Sequence, residues 1–157
     1  MRLFFASWPP PAVAQALAGW SREVQRDCGG RATREEAIHL TFAFLGEADA
    51  KAAIALARGV AAGQTSLPIE EAGYWPHNRI VWIAPRQAPA DLAALARALG
   101  EKRKFAAHVT LLRKAHAPKA LPALPELDWP VREFLLVNSH LGPEGPSYEV
   151  LERFAPG

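Results

Sequence analysis

A single cysteine, Cys28, is all that 157 residues contain. No disulfide can therefore form within the chain, and no cysteine-based metal site can be assembled. No run of about 18 apolar residues occurs, so no segment is expected to span a bilayer. The opening, MRLFFASWPPP, has an apolar run too short for a secretory signal, and proline interrupts it. Charge of one sign is also scarce. Eighteen Lys and Arg against 16 Asp and Glu leave +2, too little to argue nucleic-acid binding from the total. These absences lead to the expectation of a cytoplasmic monomer with no cofactor, no membrane contact and no obligate protein partner.

What is present suits one compact domain. Half the residues are hydrophobic and 22% are charged, so apolar material for a core is ample. RLFFAS at 2–7 reads as a buried strand. Pro11 is a good first helical residue, and Val13, Leu17, Trp20 and Val24 give helical spacing over 12–27, stopped by Gly29-Gly30. Strands are expected at 38–45, 66–75, 79–84, 106–112, 131–140 and 147–154, and helices at 49–62 and 89–99. A proline-rich connection fills 117–130. The fold class is α+β. A helix followed by a histidine-bearing strand occurs twice, with His39 and His108 placed 69 residues apart. That order suggests an internal duplication. Residues 1–157 would then form one domain of two similar lobes, with a cleft between two antiparallel sheets and helices outside.

The repeated element is His39-Leu40-Thr41-Phe42 and His108-Val109-Thr110-Leu111. Side chains alternate along a strand, so each His shares a face with its Thr while apolar residues take the other. With five histidines and four threonines, two or more His-x-Thr hits arise at random with a probability of roughly 0.006. The chemistry suited to the pair is hydrolysis of a cyclic phosphodiester. A base must take the proton of water, and an acid must protonate the departing ribose oxygen. Two imidazoles suffice, because their reference pKa of about 6.5 keeps both forms accessible. The threonine hydroxyls would donate hydrogen bonds to the non-bridging phosphate oxygens. Arg113 follows the second motif and could grip the same oxygens. Strict alternation from His108 puts it on the opposite face, so it reaches the site only if the strand bends or ends near Leu112.

At these residues the sequence resembles the two-histidine phosphoesterases, in particular the RNA 2′,3′-cyclic phosphodiesterases once described as 2′-5′ RNA ligases. RLFFASWPP resembles the family's opening strand, GGRATREEAIHLTFAFLGE its first motif region, RIVWIAP its middle strand and HVTLLR its second motif. FLLVNSHLGPEGPSYEVLERF resembles its final hairpin. The resemblance implies a bilobal α+β fold and metal-independent conversion of a terminal 2′,3′-cyclic phosphate to a 2′-phosphate. It makes His39 the proton donor and His108 the proton acceptor, with Thr41, Thr110 and Arg113 on the phosphate.

Three alternatives stay open: action on small cyclic nucleotides, 2′-5′ RNA ligation, and an RNA-end-binding module without chemistry. Phe5, Tyr74 and Trp75 are candidate substrate contacts, the last two by stacking a base. Trp20, Trp82, Trp129 and Cys28 are expected to pack. His77, His116 and His140 lack a Thr partner and read as surface residues. The basic run Lys102-Arg103-Lys104 reads as a solvated face.

Overall fold

The computed structural model describes residues 1–61 and 63–155. Strand β1 (Arg2–Ser7) leads through three prolines into helix α1 (Pro11–Cys28). Pro11 costs the helix nothing at its first position, since its missing N–H would have had no partner there. Val13, Leu17, Trp20, Val24 and Cys28 line the buried face of α1. A two-residue strand β2 (Arg31–Ala32), a 3-10 turn (Glu35–Ala37), strand β3 (Leu40–Glu47) and helix α2 (Ala50–Arg58) follow. The Asp49 side chain caps α2, accepting from the Ala52 N–H at 3.2 Å. Gly59 closes it, well short of the expected end at 62, a position outside the described residues.

The expected strand at 66–75 is two strands. β4 (Thr65–Leu67) and β5 (Glu71–Trp75) flank Pro68, which has no N–H to continue a ladder. β6 (Ile80–Ala84), α3 (Ala90–Ala98) and β7 (Val109–Arg113) come next. The proline-rich connection is not wholly irregular either: β8 (Trp129–Val131) lies at its end and pairs with β4 in a small two-stranded sheet. Pro130 is tolerated because a two-stranded sheet has only edges. The final hairpin is β9 (Phe134–Gly142) and β10 (Gly145–Phe154), joined by Pro143-Glu144.

Two four-stranded antiparallel sheets carry the architecture, in the orders β10-β9-β1-β3 and β2-β7-β6-β5. Each holds one His-x-Thr segment, and in each the motif strand pairs with the strand that precedes a helix. The main hydrophobic cluster joins residues of α1, α2, α3 and both sheets. Leu3 and Phe5 of β1 point into it, whereas Phe4 and Ala6 join Leu135 and Val137 in a second, small cluster on the other face of the first sheet. This alternation corrects the expectation for Phe5. Phe5 is fully buried against Phe134 and Phe154 and does not reach the cleft; its neighbour Phe4 turns toward His39 instead. No helix among the described residues is long and apolar enough to cross a membrane.

A shared irregularity shapes both motif strands. Ala6 pairs with Thr41 and Phe5 with Ala43, so Phe42 is the extra residue of a bulge. Trp82 pairs with Thr110 and Val81 with Leu112, so Leu111 is extra in the same way. A bulge shifts the alternation by one residue. Phe42 and Ala43 are consequently both buried, as are Leu111 and Leu112, and the next residue of each strand, Phe44 or Arg113, is returned to the exposed face.

Candidate functional site

Both histidines sit immediately before their strands, and both line one cleft of about 630 Å³ together with Thr41 and Thr110. Each ring is tethered in the same manner. His39 Nδ1 lies 2.7 Å from the Ala37 carbonyl, and His108 Nδ1 lies 2.9 Å from the Ala106 carbonyl. A carbonyl oxygen only accepts, so Nδ1 carries hydrogen in both rings and Nε2 is left to exchange a proton with a ligand. This matched tether, two residues back along the chain in both cases, has no signature in the sequence.

Arg113 enters the cleft because of the bulge at Leu111, which supplies the bend that simple alternation lacks. The segment is held from the side by Thr33. Its N–H donates to the Leu111 carbonyl at 2.9 Å, and its hydroxyl donates to the Thr110 carbonyl at 3.0 Å. Behind the strand end, Gly30 packs so closely that a Cβ there would lie 2.6 Å from the Arg113 carbonyl oxygen. Arg31, Arg34 and Arg113 line the cleft against one acid, Glu144, so the cavity favours an anion.

The two imidazoles have different surroundings. His39 is boxed by rings: Trp8 stacks on it at 4.8 Å, Phe4 lies at 5.3 Å, and Tyr148 meets it edge-on at 5.1 Å. The Trp8 indole is fixed by donating to the Glu36 carbonyl at 2.8 Å. Burial among these rings pushes the His39 pKa down from 6.5 to about 4; the Arg113 and His108 charges act in the same direction, and the bond to Ala37 opposes them. Burial also raises the Tyr148 hydroxyl, against the pull of Arg113 and Arg34. Among the described residues, His108 has one aromatic neighbour, Trp75, whose ring meets it edge-on at 4.9 Å. Trp75 in turn leans on Trp82 at 5.2 Å, and Trp82 fills the space above Gly73.

Of the three candidate substrate contacts, only Trp75 borders the cleft. Tyr74 does not. It lies on the other face of β5, packed against the core, and its hydroxyl donates to the Ala115 carbonyl at 2.9 Å. Trp8, Thr33, Phe44 and Tyr148 also stand at or beside the site, and the residue pattern does not mark them. Tyr148 lies in a hairpin strand of alternating exposure, and nothing local marks it. Trp20 and Trp129 are buried, the latter with its indole N–H 3.3 Å from the Ser7 hydroxyl, while Trp82 is partly buried with its indole nitrogen unpartnered. Cys28 is buried in the core, which raises its thiol pKa. His77, His116 and His140 are exposed, and His140 pairs with Glu149 at 3.0 Å. Among the described residues, no three His, Cys, Asp or Glu side chains gather to hold a metal ion.

The arrangement combines two ring nitrogens able to exchange protons, two hydroxyls and a guanidinium around a space of nucleotide size. A family model described as LigT like phosphoesterase matches residues 8–82. The RNA 2′,3′-cyclic phosphodiesterases of Thermus thermophilus and Escherichia coli are 35% and 33% identical to this chain. The matches cover 99% and 98% of it, and 90% and 96% of those proteins. The crystal structure of E. coli LigT complexed with 3′-AMP superimposes with a TM-score of 0.85 at 32% identity, covering 99% of this chain and 97% of that one. Likeness of that extent, in sequence and in backbone, shows that the chain belongs to the LigT-like family of two-histidine phosphoesterases.

Proposed function

We propose that this protein hydrolyses the terminal 2′,3′-cyclic phosphate of RNA to a 2′-phosphate, with the two histidines as its acid and base and without a metal ion. The observation that carries the reading is the pair of His-x-Thr segments, one from each sheet, meeting in one cationic cleft with their Nδ1 atoms tied to backbone. His108 Nε2 takes a proton from water, whose oxygen attacks phosphorus. The P–O3′ bond breaks as the new P–O bond forms, and His39 Nε2 gives its proton to O3′. Thr41, Thr110 and Arg113 bind the non-bridging oxygens, where charge accumulates. Trp75 holds His108 in place and offers a ring face to the nucleoside. The repeated order of strand, helix and motif strand supports a single domain of two duplicated lobes. The scheme calls on no second copy of the chain, and we read the protein as a cytoplasmic monomer.

The test is incubation with an RNA oligonucleotide ending in 2′,3′-cyclic phosphate, in excess chelator, with the product end group identified. A 2′-phosphate formed by the parent, and lost in His39→Ala and His108→Ala variants that still fold, is the expected result. Near-normal turnover by either variant would overturn the assignment. Action on a mononucleotide cyclic phosphate is the second reading, since the cleft is large enough to enclose one nucleotide.

A further inference from the structure

The basic run Lys102-Arg103-Lys104 has no part in the chemistry above, yet it does not lie on an isolated solvated face. The loop that follows α3 carries Lys102 and Arg103 to the rim of a groove of about 580 Å³, whose other wall is the end of β3 and the exposed side of α2; Lys104 follows, exposed, as the next residue of the loop. Phe44 and Leu56 stand in this groove 48% and 46% exposed.

Phe44 connects the groove to the catalytic cleft. The bulge at Phe42 turns its ring outward, where it borders the groove on one side and, on the other, a pocket of about 430 Å³ that contains His39, Thr41 and Arg113. The Arg2 guanidinium lies 5.6 Å from the centre of the Phe44 ring. The groove's two acids are already engaged. Glu101 accepts from the Arg103 backbone N–H at 3.1 Å and pairs with its guanidinium at 3.5 Å, and Asp49 caps α2. Lys102, Lys104 and Arg2 have no ion-pair partner among the described residues. Uncommitted cations beside exposed apolar side chains suit single-stranded nucleic acid, whose phosphates seek the cations and whose bases stack on the apolar surface.

We propose that this groove binds the RNA strand 5′ to the reacting nucleotide, and so makes oligonucleotides better substrates than mononucleotides. The inference rests on the reaction proposed above. If His39 protonates O3′, the ribose lies on the His39 side of phosphorus, because attacking and leaving oxygens are in line. His39 stands immediately before β3, and Thr41 and Phe44 follow it along that strand, so the body of the RNA leaves the cleft past Phe44 toward Lys102 and Lys104.

The test compares an oligonucleotide with a mononucleotide, both ending in 2′,3′-cyclic phosphate. Two variants are used: Lys102→Gln/Lys104→Gln, which keeps the Arg103–Glu101 pair, and Leu56→Glu, which puts a carboxylate into the groove at an exposed position. Each should raise KM for the oligonucleotide about 10-fold, with kcat and all mononucleotide constants unchanged. In the double variant, the slope of log KM against log salt should fall by roughly 1.4, about 0.7 for each lost phosphate contact. Equal losses on both substrates, or no loss on either, would overturn the proposal. If the parent cleaves neither substrate, the reaction itself is misassigned. The groove is then judged by anisotropy of a fluorescent oligonucleotide bearing a terminal 2′-phosphate: weaker binding by both variants supports it, and unchanged binding overturns it.

Discussion

His39 cannot serve as a proton donor at neutral pH unless the ligand changes it. With its pKa pushed down to about 4, only about one molecule in 1,000 carries the imidazolium at pH 7. Bringing it to half-protonation there requires roughly 3 pKa units, or about 4 kcal/mol. A phosphate anion in the cleft is the natural source. At about 4 Å and an effective dielectric constant of about 20, an imidazolium and a single negative charge attract by about 4 kcal/mol. The same anion offsets Arg113, one of the charges that hold His39 down. The expectation is that His39 titrates near 4 in the free protein and near 7 when saturated with a nucleoside 2′-monophosphate. Binding should take up close to one proton at pH 6 and about half a proton at pH 7. Ring-carbon and ring-nitrogen NMR shifts follow the first quantity, and calorimetry in buffers of different ionisation heat follows the second. If His39 stays near 4 in the saturated complex, it cannot be the donor, and the roles of His39 and His108 must be exchanged.

The same shift has a consequence for stability. The unfolded chain takes up a proton at His39 near 6.5, while the folded one resists until about 4. This contribution is therefore whole above pH 6.5 and is lost as pH falls toward 4, up to about 3 kcal/mol. Urea titrations at pH 7 and pH 4.5 should show a smaller loss for His39→Gln than for the parent; equal losses would refute the assignment. Thr110→Val should lower kcat about 100-fold by removing a donor to the phosphate, as measured by single-turnover cleavage. Arg113→Met should cost a similar factor in kcat/KM, and Arg113→Lys should restore little of it, because a point charge does not reproduce the planar fork. Gly73→Ala would place a Cβ 2.3 Å from the Trp82 ring. Thermal and urea unfolding should show destabilisation of about 1–3 kcal/mol, and the displaced Trp82 and Trp75 should lower kcat as well.

The parts of this protein that follow local rules are legible in its residue order. Apolar spacing and the Pro11 and Gly29 boundaries place α1 within a residue of its observed ends. The duplicated His-x-Thr pattern marks four of the polar residues that line the cleft, because a period of two puts each histidine and its threonine on one face. What lay beyond it were effects that arise between segments. Strict alternation places Arg113 on the wrong face, and only the pairing of β7 with β6 introduces the bulge that returns it. The same kind of slip against β1 exposes Phe44. Phe4 and Phe5 are indistinguishable as letters, and the sheet decided which faces His39 and which fills the core. The pKa of His39 depends on Trp8, Phe4 and Tyr148, which approach it from 31 and 35 residues upstream and 109 downstream. Desolvation depends on the whole shell around a ring, and no stretch of sequence contains that shell.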